Sequence, residues 1–156
     1  MIKYLKGDAT QPQGSDPRLL VHIVNDGGAW GKGFVLAVSE RWSEPEAAYR
    51  AWYRGDLKKE MEFTLGSIQL VSVEPNLWVV NMVAQHGYGG PTPRVRYDAL
   101  GTCLRHVRIL ADKLKASVHM PRIGCGLGGG QWIFIGPIIE KMLEGKDVYV
   151  YDYNSV

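Results

Sequence analysis

Apolar residues along the chain fall into short runs with helical or strand spacing, each ended by glycine, proline or asparagine. Residues 2–5 predict a short strand, which Gly7-Asp8-Ala9-Thr10 turns into a loop ending at Pro17. Leu19-Leu20-Val21-His22-Ile23-Val24 is a near-continuous apolar run of strand length, the pattern of a strand buried on both faces. Asn25-Asp26-Gly27-Gly28 stops it. Phe34, Val35, Ala37 and Val38 start a helix that runs to about Trp42. Ser43, with Glu46 three residues on, predicts a capping box for a second helix that carries Ala47, Ala48, Ala51 and Trp52 and ends near Gly55. Ser67 to Val73 and Leu77 to Val83, separated by Glu74-Pro75-Asn76, have the spacing of a strand hairpin. A polar loop over 85–93 follows. Tyr97, Leu100, Leu104, Val107 and Leu110-Ala111 then recur at helical spacing up to about Leu114. Ser117 to Met120 reads as a strand opening into Gly124-Cys125-Gly126-Leu127-Gly128-Gly129-Gly130. A last helix, Gln131 to Leu143, and a last strand, Val148 to Tyr151, complete the order.

Strands alternating with helices predict an α/β fold, a mixed, largely parallel sheet with helices on both faces. Right-handed crossovers place the loops after parallel strands along one edge, so the two glycine-rich loops are expected to face one crevice. With no repeat or linker, residues 1–156 read as one domain. An apolar share of 46% against 22% charged residues excludes a disordered chain. No apolar run reaches the roughly 18 residues of a membrane span, and no leader peptide is visible, which points to the cytoplasm. Cys103 and Cys125 have neither a disulfide framework nor metal-ligand spacing around them, so two free thiols and no metal are expected. A net charge of +2 is too small to imply nucleic-acid binding by itself. Arg94, Arg96, Arg105, His106 and Arg108 fit either a basic patch or a solvated helix face.

Candidate chemistry gathers at the glycines. Asn25-Asp26-Gly27-Gly28-Ala29-Trp30-Gly31-Lys32-Gly33 leads from a strand into a helix, where backbone can approach a ligand and unpaired N–H groups favour a pyrophosphate. It matches neither GxxxxGK[ST] nor GxGxxG. Lys32 is a phosphate ligand or a solvated lysine. The loop from Gly124 to Gly130 is a second cradle or a flexible turn. Asp26 can activate water or orient a ribose, or it can simply form the turn. His86 is the second acid–base candidate. Asp8 can bond a purine edge or cap a turn. His22 and His119 read as core histidines, and Trp42 and Trp52 as core indoles; Trp30 and Trp132 can wall a pocket. Ser39 lacks a G-x-S-x-G elbow and Cys125 lacks a paired base, so covalent catalysis is not expected.

The order of these motifs resembles the macrodomain family over essentially the whole chain, implying a three-layer α/β/α fold. Met120-Pro121-Arg122-Ile123-Gly124-Cys125-Gly126-Leu127, with Gln131-Trp132 after it, is similar to the terminal ADP-ribose protein glycohydrolase branch. Val21-His22-Ile23-Val24-Asn25-Asp26 through Trp30-Gly31-Lys32-Gly33 also resembles the ADP-ribose-1″-phosphate phosphatase of yeast. The resemblance implies that the ligand is ADP-ribose. Asp8 and Ala9 would meet the adenine, Asn25 and Asp26 the distal ribose, and Gly31, Lys32 and Gly33 the pyrophosphate or ribose. Ile123, Gly124, Cys125, Gly126, Leu127 and Gly128 would wrap the pyrophosphate from the other side, with Tyr151 or Tyr153 beside the adenine. That branch uses a lysine after the strand equivalent to Leu77–Val83 and an aspartate directly after Gly-Cys-Gly-Leu. Here Asn81-Met82-Val83-Ala84-Gln85-His86 holds no lysine, and the second position is Gly128. The implied activity is therefore hydrolysis of ADP-ribosyl linkages on protein side chains or nucleobases without a lysyl step. Asp26 would be the base, His86 the next candidate, and Asn25 would orient hydroxyls. A reader without turnover and a phosphatase are the alternatives. The expected partners are ADP-ribose and ADP-ribosylated protein or nucleic acid, with no further cofactor, no membrane, and a monomeric state.

Overall fold

A computed structural model describes residues 1–89 and 94–153; residues 90–93 of the expected polar loop lie outside the described residues. The elements are β1 (Ile2–Lys6), β2 (Arg18–Asn25), α1 (Phe34–Arg41), α2 (Glu44–Tyr53), β3 (Ile68–Glu74), β4 (Leu77–Gln85), α3 (Tyr97–Leu114), β5 (Ser117–Met120), α4 (Trp132–Met142) and β6 (Val148–Asp152). They build one six-stranded sheet in the order β1-β6-β5-β2-β4-β3. Every pairing is parallel except β3 with β4, so the expected mixed, largely parallel sheet is what forms.

The continuous apolar run of β2 follows from burial on both sides. Leu19 and Val21 enter a core with α3 and α4, whereas Leu20 and Val24 enter a second core with α1 and α2. On α3, Leu100, Cys103, Leu104, Val107 and Ala111 recur at spacings of three and four and are all buried. Side chains of this kind stabilise by about 1.5–3 kcal/mol each when fully buried, so the stripe fixes which face of α3 meets the sheet. Asn76, at φ 60, closes the β3–β4 turn. Asparagine accepts that left-handed conformation more readily than most residues.

The capping box expected at α2 does not form. Ser43 is itself helical (φ −83, ψ −22) and its side chain makes no cap bond, because a capping hydroxyl needs extended backbone to reach back to the first turn. Pro45 in that turn also lacks an N–H to satisfy. Glu46 turns outward instead, accepting from the Ser39 hydroxyl at 3.1 Å and from Arg50 Nε at 3.0 Å. What ties α2 to the sheet is a buried polar chain. His22 Nε2 meets Asn81 Oδ1 at 2.5 Å, and Asn81 Nδ2 donates to Gln69 Oε1 and the Pro45 carbonyl. Gln69 Nε2 in turn donates to the Ala48 carbonyl at 2.9 Å.

This topology positions the site. Strand β2 lies between β4 and β5 and runs parallel to both, so the segments after all three strands emerge along the same edge. Two of those segments are the glycine-rich loops, and the third carries Gln85, His86 and Gly87.

Candidate ligand crevice and catalytic pair

The first loop is built around Asn25. Its Oδ1 accepts the Gly27 and Ala29 N–H groups at 3.0 and 3.1 Å, and its Nδ2 donates to the Ala29 carbonyl at 2.7 Å. Tyr49, reaching up from α2, donates its hydroxyl to the Asn25 carbonyl at 2.6 Å and accepts the Gly28 N–H at 3.1 Å. Asn25 is thus chiefly a scaffold for the turn, with one amide hydrogen left for a ligand. Gly28 sits at φ 82, and a Cβ there would lie 2.6 Å from the Tyr53 ring, so a larger residue would be strained and would have to displace that ring.

The second loop folds back on itself through Gly130 N–H to the Gly124 carbonyl (2.7 Å) and Gly129 N–H to the Gly126 carbonyl (3.1 Å). A Cβ on Gly33 would lie 3.6 Å from Leu127, so the two loops meet across a crevice. The crevice encloses about 540 Å³ and is lined by Ile23, Asn25, Gly31, Lys32, Gln85 and Leu127 among others. Ile23, Val24 and Val35 make its floor apolar, while loop backbone and Lys32 supply the polar side.

Next in sequence to the crevice residues Asn25 and Gln85 lies a pair that sequence spacing does not reveal. The β2–β4 register aligns Asn25 with Gln85 and thereby sets Asp26 beside His86. Asp26 Oδ2 meets His86 Nδ1 at 2.8 Å, and Asp26 Oδ1 accepts the Gly87 N–H at 2.7 Å. Burial pushes the Asp26 carboxyl up, but the Gly87 N–H and the His86 ring together outweigh it and hold the group below the usual carboxylate range. A carboxylate so stabilised is a weak base. Because it only accepts, it takes a hydrogen from His86 Nδ1 and, in the neutral ring, leaves Nε2 with a lone pair. Asp26 is thus placed to orient the His86 ring, whose side chain is more than half exposed.

The remaining expected residues divide. Gly31, Lys32 and Leu127 line the crevice. Gly33, Gly126 and Gly128 belong to its two loops, and Ile123 and Gly124 anchor the second loop from below, with Ile123 buried. The Cys125 thiol is half-buried, and burial pushes it up against the opposing pull of Arg122. Asp8 accepts both the N–H and the hydroxyl of Thr10, at 2.8 and 2.7 Å, at the end of edge strand β1. Ala9 is buried beside it. Tyr151 is 4% exposed with its hydroxyl tied to Gln13 N and His119, whereas Tyr153 is exposed. Trp30 is a core residue, 3% exposed and donating to the Ser39 hydroxyl, so it does not wall the crevice. Trp132 faces Tyr4 and the Arg122 guanidinium instead. Sequence reasoning missed Gln85 and Tyr88, both in the crevice wall; only the adjacency of β2 and β4 brings them there.

No family model matches the chain. A macrodomain protein from Streptomyces coelicolor is 49% identical, with 99% of this chain and 100% of that one covered at a TM-score of 0.86. The chain belongs to the macrodomain family. Among curated proteins, this macrodomain is 32% identical over 163 residues to Chromodomain-helicase-DNA-binding protein 1-like of Mus musculus. The alignment covers 97% of this chain but only 17% of the mouse protein. It is also 29% identical over 133 residues to the DNA ADP-ribosyl glycohydrolase of Mycobacterium tuberculosis, covering 85% of this chain and 36% of that protein. No helix among the described residues of the macrodomain is long and apolar enough to cross a membrane.

Proposed function

We propose that this macrodomain binds ADP-ribose between its two glycine loops and hydrolyses an ADP-ribosyl linkage, using His86 as the base. The observation that carries the reading is the Asp26–His86–Gly87 arrangement, next in sequence to the crevice residues Asn25, Gln85 and Tyr88. The similarity to a curated DNA ADP-ribosyl glycohydrolase supports the reaction class. Loop N–H groups and Lys32 would hold the phosphates, and the free Asn25 amide hydrogen would meet a ribose hydroxyl. His86 Nε2 would take the proton of the water attacking the anomeric carbon as the bond from that carbon to the side chain or base breaks, and the imidazolium would return the proton to the departing group while Asp26 steadies the ring and its charge. Most of the rate would come from positioning in the crevice, which is consistent with a site lacking the branch's lysine and aspartate. The substrate class is an ADP-ribosylated macromolecule, protein or nucleic acid.

The test offers the purified protein a glutamate-linked ADP-ribosylated protein and an ADP-ribosylated DNA oligonucleotide, beside calorimetry with free ADP-ribose. Release of ADP-ribose by the wild type is expected. His86→Gln should lower it at least about 100-fold, the usual range for removing a general base, with ADP-ribose affinity unchanged. Binding without release from either substrate would make the protein a reader. A loss below about tenfold in His86→Gln would remove the histidine from the chemistry.

A further inference from the structure

A second cavity, of about 510 Å³, opens at the opposite end of the sheet from the crevice. It lies where β2, β5 and β6 begin, between the loop leading into β2 and the last turn of α3. Arg18, Lys115, Ser117 and His119 all face it.

The Tyr151 hydroxyl accepts the Gln13 N–H at 2.9 Å and meets His119 Nδ1 at 2.8 Å. His119, 1% exposed, meets Ser117 Oγ through Nε2 at 2.7 Å. In the tautomer with the ring hydrogen on Nε2, His119 donates to Ser117 and the serine hydroxyl hydrogen is left for a ligand. Arg18 is fixed by the carbonyls of Pro12 (2.9 Å) and Asp16 (3.0 Å), which use two of its five N–H hydrogens and leave three. Lys115 ends α3 at φ 52, a left-handed position that glycine usually occupies. Of the acidic neighbours, Asp112 is paired with Lys146, while Asp16 and Asp147 also line the cavity.

We propose that this cavity is a second binding site, for a small carboxylate- or phosphate-bearing anion received by the Ser117 hydroxyl, Arg18 and Lys115. Arg18 and Lys115 bring positive charge to the cavity, and the two remaining aspartates, Asp16 and Asp147, limit the charge it accepts, which favours a compact anion over a polyphosphate.

The test is residue-resolved NMR titration of the protein with inorganic phosphate in one arm and succinate in the other. Shifts centred on residues 18 and 115–119 are expected, distinct from any at Gly31 and Gly33, and the arm that saturates first identifies the anion class. Lys115→Gly removes the charge while relieving the left-handed strain, so it should leave the fold at least as stable and still weaken binding about fivefold or more. Ser117→Ala should weaken binding by a similar factor. No shifts at that end with either anion would overturn the proposal, as would unchanged affinity in both variants.

Discussion

Two buried histidines make this fold sensitive to mild acid. His22 and His119 are each 1% exposed. Burial lowers His22 from the ordinary 6.5 to about 4, with the Asn81 hydrogen bond opposing it only in part. Its Nδ1 has no partner, so the proton it would gain finds no acceptor. Burial, helped by the Arg18 charge, lowers His119 to about 4 as well. As pH falls below 6.5 the unfolded chain takes up these protons and the folded one does not. The contribution to stability is therefore full above pH 6.5 and is lost progressively down to about pH 4. At 1.36 kcal/mol per pH unit, each histidine accounts for about 3 kcal/mol over that window. Together they reach about 7 kcal/mol, as large as the whole stability of many domains. Urea unfolding followed by tryptophan fluorescence between about pH 7.5 and pH 4 measures this directly. The steepest slope expected is about 2.7 kcal/mol per pH unit, for two protons taken up on unfolding. His119→Gln keeps a donor for Ser117 and an acceptor for Tyr151 but does not titrate, so it should halve that slope. A stability curve flat over this range, or an unchanged slope in His119→Gln, would refute the burial argument.

Other outcomes follow from single contacts. Tyr49→Phe removes the hydroxyl shared by the Asn25 carbonyl and the Gly28 N–H; a loss of about 1–3 kcal/mol in urea unfolding and weaker ADP-ribose binding are expected. Gly128→Asp restores the branch's aspartate but puts a Cβ 3.1 Å from the Gly124 carbonyl oxygen and 3.2 Å from Gln85 Oε1. It should lower the melting temperature without raising hydrolysis. Cys103 is fully buried, with its thiol pushed up to about 12, so iodoacetamide at neutral pH should label Cys125 first and Cys103 only on unfolding, as mass spectrometry of timed samples would show.

The fold was legible because each element carries its own signal. The β2 run is apolar on both faces, the α3 stripe recurs every three or four residues, and the β3–β4 turn contains Pro75 and Asn76. The α2 cap was not legible, since Ser43 and Glu46 satisfy the pattern while the backbone at Ser43 is helical and Glu46 has better partners in Ser39 and Arg50. Trp30 misled for a related reason: its position next to glycines says nothing of its χ angles, and the ring turns into the α1–α2 core. At the site, the glycine loops were visible as loops, but the roles of Asn25 and Asp26 depended on partners distant in sequence. Tyr49 lies 24 residues from Asn25 and His86 lies 60 from Asp26. The packing of α2 on the sheet brings the first pair together, and the β2–β4 pairing the second.

The two departures from the branch pattern, at Gln85–His86 and at Gly128, are one structural arrangement. The Gly128 carbonyl accepts the N–H groups of both Arg94 and Val95, at 2.8 and 3.0 Å, and the Arg94 carbonyl accepts the His86 N–H at 2.9 Å. The segment bearing His86 is thereby anchored on the second glycine loop at one side and on Asp26 at the other. A side chain at 128 would press on the Gly124 carbonyl oxygen at 3.1 Å and on Gln85 Oε1 at 3.2 Å. The docking itself uses only the backbone carbonyl at 128, which an aspartate would keep, so the crowding falls on the turn of the second loop and on the crevice wall. The His86→Gln and Gly128→Asp variants should therefore fail in different ways. The first should lose turnover with the fold and ADP-ribose binding intact; the second should lose stability and ADP-ribose affinity while His86 stays paired with Asp26.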